Sequence, residues 1–477
     1  MEKGFRMAAR KFGEVFAAVA LASMSTMSAG RAAAQPSVLR TYEPPAGKAF
    51  WSHLNDDFTV RVRVPGGEWQ DLYEYNVKVD LDRPQDASMA MFEMTGPVEV
   101  SVKKNNGDVR RVEVRPDSTG VRAKLVGNTA LFRLNRPARL SIEFDGDRLH
   151  NLHLFAEHPE PVLPTAGPGV IRFDPGVHVP PEGQTGFKIP SNTTAVIAGG
   201  AIVQGVIEIR DATNVRVIGH GIIDRPERGI LIERSHGVVV DGPTVVNSQH
   251  YTVLCGQSSD IEIRNVKSFS SSSWSDGLDF MSCSNVRIDR VFMRNSDDTI
   301  AIYGGRWDYK GDARNYRISN SILWADIAHP INIGGHGTKG AAETIEDIEF
   351  RNIDVLGHDE DDRMYQGVMA IGDADNNRVR NVLFEDFRID DIQEGMLFNF
   401  RVLYNPKYSN APGGGIENVT VRNVRFKGGD INRPVIAGFA DDRRVRNVVI
   451  ENVTVAGTRL KRSDIVVGPF VDGLVVK

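Results

Sequence analysis

Cysteine is nearly missing from this chain. Its two cysteines, Cys255 and Cys283, among 477 residues exclude a disulfide-stapled scaffold. They read as buried free thiols, or as a single bridge between neighbouring segments. No stretch shows a sustained 3.6-residue apolar period, so helical bundles and coiled coils are excluded. No excess of positive charge is present either. The formal net charge is −5, which makes nucleic acid and anionic membranes poor partners. Beyond the first residues no apolar run is long enough to span a bilayer.

The N-terminus is of a different kind. Lys3, Arg6, Arg10 and Lys11 form a positive stretch, Phe12 to Met27 is mostly apolar and small, and Ala32-Ala33-Ala34 offers a small-residue cleavage site. Residues 1–34 therefore read as a secretory signal, interrupted by Glu14, and the expected destination is secreted or periplasmic. Its removal takes away five basic and two acidic residues and leaves the rest more acidic.

Residues 36–160 alternate apolar and polar in short bursts, such as FTVRVRV (58–64), VEVSVKK (98–104) and RLSIEF (139–144). Turn signals separate them, among them Pro65-Gly66-Gly67 and Asp145-Gly146-Asp147. This spacing predicts an antiparallel β-sandwich with one wet face on each sheet. Pro159 to Pro164 reads as a linker. Residues 161–477 carry a recurring phrase, Asn/Asp-apolar-x-apolar, from Gly169 onward: NVRVIG at Asn214, DIEIRN at Asp260, NVRIDR at Asn285, NVTVRN at Asn418 and others. Its first apolar residue recurs at Val215, Val238, Ile261 and Val286, with later gaps stretching further. Self-similarity at this period, carried by β-branched residues and asparagine, predicts an all-β solenoid: a right-handed parallel β-helix with inward Val and Ile stacked coil on coil. The asparagines read as structural, because Asn tolerates left-handed backbone geometry and can bond along a ladder.

Two adjacent coils hold the chemistry. In SDGLDF and SDDTIAI, aligning D-G-L-D-F with D-T-I-A-I stacks Asp276 over Asp298, with Asp297 beside them. Strict alternation would point both inward with Leu278 and Ile300, so the expectation requires the chain to bend just before each strand. Carboxylates this close cannot all ionise, and a protonated acid beside ionised ones suits hydrolysis of a glycosidic bond. The same residues would also serve as turn formers or hold Ca²⁺. The next coil, AHPINIGG, puts His329 in the same column, and His336 lies in the loop beyond it. Trp274, Trp307, Tyr309 and Trp324 cluster around these segments as candidate sugar platforms or as loop packing. Asp279, Ala301 and Asn332 occupy the outward mid-strand positions and are expected to form the groove floor.

SDGLD, NSDDTIAI and AHPINIGG resemble the three active-site segments of family 28 glycoside hydrolases, the polygalacturonases, which read NTDGxD, DDCIAI and GHGISIG. The resemblance covers roughly Gly169 to Lys477. It implies Asp297 as general acid, Asp276 and Asp298 as the pair that holds and activates water, and His329 as their support. Inversion at the anomeric carbon is expected where the acid and the water-activating group stand ~6.5–9.5 Å apart. Ser275 and Thr299 depart from the family's Asn and Cys. The family's RIK segment, whose basic pair grips galacturonate, is replaced by QGVMAIGD with Met369 and Ile371 in those places. A sandwich ahead of a β-helix with an Asp trio is also similar to the family 49 dextranases. The expected substrate is therefore a neutral glycan rather than polygalacturonate, and Arg401 is the basic residue available if the sugar is acidic. No cofactor and no metal are expected, and the partner is a polysaccharide or oligosaccharide. Oligomeric state is not indicated. Two rival readings keep the solenoid: a polysaccharide lyase, for which no basic residue stands in the carboxylate column, and a non-catalytic glycan-binding β-helix.

Overall fold

The computed structural model describes residues 38–160, 162–165 and 167–477, and the expected signal segment, residues 1–34, lies outside them. All of the described residues belong to one compact unit. Among them no helix is long and apolar enough to cross a membrane.

The alternating bursts of the first part form two sheets. Phe58–Arg63, Val98–Lys104 and Thr129–Leu134 are the centre of a five-stranded sheet. Gln85–Thr95, Leu152–Glu157 and Ala138–Phe144 are the centre of a six-stranded one. Inward residues of both, among them Val60, Val100, Phe92, Leu140 and Leu154, share one core. The expected sandwich is present with two differences. Leu152–Glu157 runs parallel to Gln85–Thr95, because the chain between them crosses to the other sheet and returns. Nor is the outer face of the six-stranded sheet wet: Val77, Met89, Met91 and Phe155 pack against Phe269, Phe292, Trp324 and Leu356 of the solenoid.

From Val170 the chain winds into parallel coils whose strands build a 20-stranded and an 11-stranded sheet. The repeated phrases fall in a single register. Val215, Val238, Ile261, Val286, Tyr316, Ile348, Val382, Val419 and Val448 are consecutive Cα partners, all buried in one core. The residue before each sits at positive φ (Asn214 55°, Asn285 55°, Asn418 57°), which asparagine adopts at low cost. Where it is asparagine, its amide donates to its neighbour in the preceding coil, as Asn418 does to Asn381 (3.0 Å) and Asn447 to Asn418 (3.1 Å). Cys255 and Cys283 point into the same core as free thiols, their sulfurs 2.7 Å apart.

Trp324 is held between the sandwich and the solenoid, its ring sandwiched by the guanidinium groups of Arg294 (3.8 Å) and Arg115 (4.7 Å). Trp324→Ala should therefore lower the unfolding free energy by about 3–5 kcal/mol. Trp274→Ala, at a largely exposed ring, should change it by less than about 0.5 kcal/mol. Urea unfolding of the two variants checks the contrast.

Candidate active site

Three strands of the 11-stranded sheet carry the site: Leu278–Met281, Ile300–Tyr303 and Ile331–Ile333. Their inward residues Leu278, Ile300 and Ile331 stack in the core, and Asp279, Ala301 and Asn332 are aligned on the opposite face. Ladder bonds continue into the turns ahead of the strands: Gly277 N–H donates to Asp298 O (2.8 Å) and Thr299 N–H to His329 O (2.8 Å). Asp276, Asp298 and His329 therefore share a column, and all three line one cavity of about 360 Å³ with Asp297. The required bend before each strand is present. The nearest carboxyl oxygens of Asp276, Asp297 and Asp298 lie within 4.8 Å of one another.

The three acids are held differently. Asp298 is buried, and both its oxygens are fully engaged. Its Oδ1 accepts from the His329 N–H (3.1 Å) and Nδ1 (2.6 Å); its Oδ2 accepts from the Asn332 amide (2.7 Å) and the Tyr303 hydroxyl (3.3 Å). Burial opposes its charge, but His329 and these donors hold its carboxyl below the ordinary range. The same contact raises His329 to about 9 against the effect of burial, and its Nε2 donates to Tyr365 O. Asp297, half-buried, accepts from Trp274 N–H (3.1 Å) and Asp298 N–H (3.0 Å). Burial and the neighbouring Asp298 charge push it up to about 7. Asp276 is raised well above the usual range by burial and by Asp279, Asp297 and Asp298. His329 thus favours the ionised form of Asp298 while Asp297 is pushed up toward neutrality, the contrast between neighbouring acids that acid–base hydrolysis needs.

The acidic trio has the spacing of a divalent-cation site. Its own chemistry argues against one: a protonated His329 stands beside it, and Asp298 has four donors on the roughly four lone-pair positions a carboxylate offers.

The aromatic expectations divide. Trp274 is 65% exposed and lines the cavity. Trp307, 54% exposed, stacks on the cavity residue Tyr251 (6.0 Å, 22°). Tyr309 and Trp324 are not platforms. Tyr309 is buried, its hydroxyl on Glu233, and supports the sheet under Trp307. Trp324 faces the sandwich, because its strand belongs to the other sheet of the coil. Two of the expected floor residues are also covered: Ala301 packs with Tyr251 and Tyr303, and Asp279 is fully buried. Asn332 reaches the cavity. Arg401, in register with Gly372, is half-buried and not among the lining residues; Leu403, Lys407 and Tyr408 bound the cavity at that level. Met369 and Ile371 are core residues facing inward.

Sequence reasoning missed Arg306, Tyr251, Tyr303, Tyr365 and Lys407, which line the same cavity with Glu360, and it had set His336 aside in a loop although it lines the cavity too. Arg306 follows the Gly304-Gly305 break after the second strand, where a chain turning back over its sheet was the available signal. Tyr303 ends the second strand, two residues beyond Ala301 on the same face, so alternation was its signal; the others come from turns and loops whose return to the cavity leaves no periodic trace.

Residues 180–467 match the family model for glycosyl hydrolases family 28. A curated relative, probable endopolygalacturonase D of Neosartorya fischeri, is 24% identical over 229 residues, covering 47% of this chain and 43% of that protein. The chain therefore spans less than half the length of that relative. Among solved structures, Dex49A from Penicillium minioluteum is similar at 15% identity and a TM-score of 0.62, covering 92% of this chain and 96% of that one. The Yersinia enterocolitica family 28 exopolygalacturonase is similar at 11% identity and a TM-score of 0.50, covering 79% and 96%. At these identities the structures establish a shared fold. The matched family segment exceeds half of the chain and contains Asp276, Asp297, Asp298 and His329, so this protein belongs to glycosyl hydrolases family 28.

Proposed function

We propose that this glycoside hydrolase is exported and cleaves a neutral polysaccharide with inversion, using Asp297 as the acid and a water held against Asp276 and Asp298. The observation that carries this reading is the unequal hydrogen bonding of three acids whose nearest oxygens lie within 4.8 Å: four donors hold Asp298, two backbone N–H groups hold Asp297, and the buried Oδ1 of Asp276 has no partner among the described residues. Asp297 faces the cavity and holds a proton near neutral pH, so it protonates the leaving oxygen. Asp276 takes the proton of the attacking water. Asp298, kept ionised by His329, lends negative charge to the oxocarbenium-like centre.

The acids stand closer than the ~6.5–9.5 Å usual for inverting pairs. Inversion is nonetheless favoured, because a carboxylate nucleophile needs a free lone pair. Those of Asp298 are occupied. The 3.3 Å contact from Tyr303 is the weakest of the Asp298 set and the one a water displaces.

The cavity supports a neutral substrate. Asp276, Asp297, Asp298, Glu360, Asp361 and Asp362 line it against only Arg306 and Lys407 as permanent cations. A polyuronate would add negative charge to this surface. The runner-up, a galacturonan, is favoured by those same two cations and by the curated relative's name.

Reducing-end assays on dextran, pullulan and polygalacturonate should show turnover of a neutral glycan above that of the uronan, and the reverse order would overturn the substrate assignment. Proton NMR of the first product should show the anomer opposite to the bond cleaved; retention would remove the mechanism. Asp297→Asn should lower kcat by about 10²–10⁴-fold with the fold intact. Since the acid works only while protonated, wild-type activity should fall as pH rises through about 7. Trp307→Ala should raise KM by about tenfold and leave kcat nearly unchanged, the signature of lost uniform binding.

A further inference from the structure

Asp279 was expected at the groove floor, yet it is fully buried and does not line the cavity. Its ladder neighbours are Leu254 and Ala301, which offer no side-chain donor. Neither of its oxygens has a hydrogen-bond partner among the described residues, and neither has the buried Oδ1 of Asp276. The Arg306 guanidinium is the nearest cation, 3.8 Å away, beyond hydrogen-bonding distance. Asp279 does lie within bonding reach of the Asp276 side chain three residues earlier. Two orphaned carboxyl groups facing each other in a buried place repel as two anions. With one proton between them, one oxygen of each is satisfied by a short O–H···O⁻ bond and one of the two charges is removed.

Charge balance leads to the same place. Asp276, Asp279, Asp297 and Asp298 are four acids in contact or near contact, and Arg306 and His329 are the cations facing them. The other titratable groups packed over Asp279 are Tyr251 and Tyr303, whose hydroxyls burial keeps protonated. Four carboxylates against two cations would leave two charges uncompensated in a buried site, and two protons remove them.

We propose, building on the hydrolytic reading above, that Asp279 is a positioning residue that shares one proton with Asp276. The four acids then hold two protons, one on Asp297 and one between Asp276 and Asp279. A neutral Asp279 donating to Asp276 keeps that carboxylate ionised and oriented as the base. In turnover, the water oxygen bonds to the anomeric carbon as the glycosidic C–O bond breaks. The leaving oxygen takes the Asp297 proton, and the water proton joins the Asp276–Asp279 pair, which then holds two. Exchange with solvent restores the starting state, and nothing is oxidised or reduced.

Two substitutions separate this role from simple charge pairing with Arg306. Asp279→Asn keeps a donor toward Asp276 but removes the ability to carry charge, and should lose less than about tenfold in kcat. Asp279→Ala removes the donor, and should lose about 10²-fold or more while moving the acidic limb of the pH–rate profile to higher pH, because an unsupported buried Asp276 is harder to ionise. If Asp279→Asn is as impaired as Asp279→Ala at unchanged melting temperature, charge pairing is the role and the proposal fails. An infrared difference spectrum at neutral pH is independent of any substrate. Wild type minus Asp279→Asn should show the C=O stretch of a protonated carboxyl, and its absence overturns shared protonation even if hydrolysis itself is borne out. A protein inactive on every glycan that still shows this band would sink the hydrolytic reading and leave the shared proton standing.

Discussion

Register along the parallel ladder is the constraint on which the site depends. Leu278, Ile300 and Ile331 are locked into the core one above another. A slip of a single residue would turn each of these strands inside out. The turns ahead of them have no freedom to separate their side chains, so Asp276, Asp298 and His329 are stacked at the ~4.8 Å spacing of adjacent strands. Repulsion between the acids is thus imposed by apolar packing. It is relieved locally by a cationic histidine, by a guanidinium and by retained protons. Acidity suited to hydrolysis emerges from a scaffold whose strength lies elsewhere.

The sandwich contributes from behind. The strand Phe292–Ser296 leads directly to Asp297, and its Arg294 is buried in an ion pair with Asp326 (2.9 Å). The same guanidinium donates to Asn151 (3.0 Å) and meets His153 (3.1 Å), both residues of the sandwich. Ser296 accepts from Leu81 N–H (3.0 Å) and Asp326 from Asp80 N–H (3.2 Å). Buried ion pairs of this kind contribute little net stability, since desolvation offsets their attraction, but they fix geometry. The sandwich is therefore a brace on the acid-bearing coil and shares a core with it.

Much of this organisation was legible in the chain itself. The phrase NVRVIG and its successors announced the coils, because an inward β-branched residue after a left-handed asparagine is a local solution each coil must repeat. Column-sharing by Asp276, Asp298 and His329 followed from the same register. The tryptophans divided along a line that sequence distance cannot see. Trp274 and Trp324 are both near the acids in the chain, yet Trp274 stands exposed in the turn ahead of Leu278–Met281, and Trp324 lies on a strand of the other sheet and faces the sandwich.

Sequence alone determined the solenoid, its register and the acid column, since all three arise from contacts between equivalent positions of successive coils. Tertiary structure alone decided that the six-stranded sheet is covered and that Asp279 is sealed beneath Tyr251, Tyr303 and Arg306. Loops from later coils, carrying Tyr365 and Lys407, complete the cavity in the same way. Those features depend on how non-equivalent segments meet, and no periodicity encodes where a loop returns or which face a second sheet will cover.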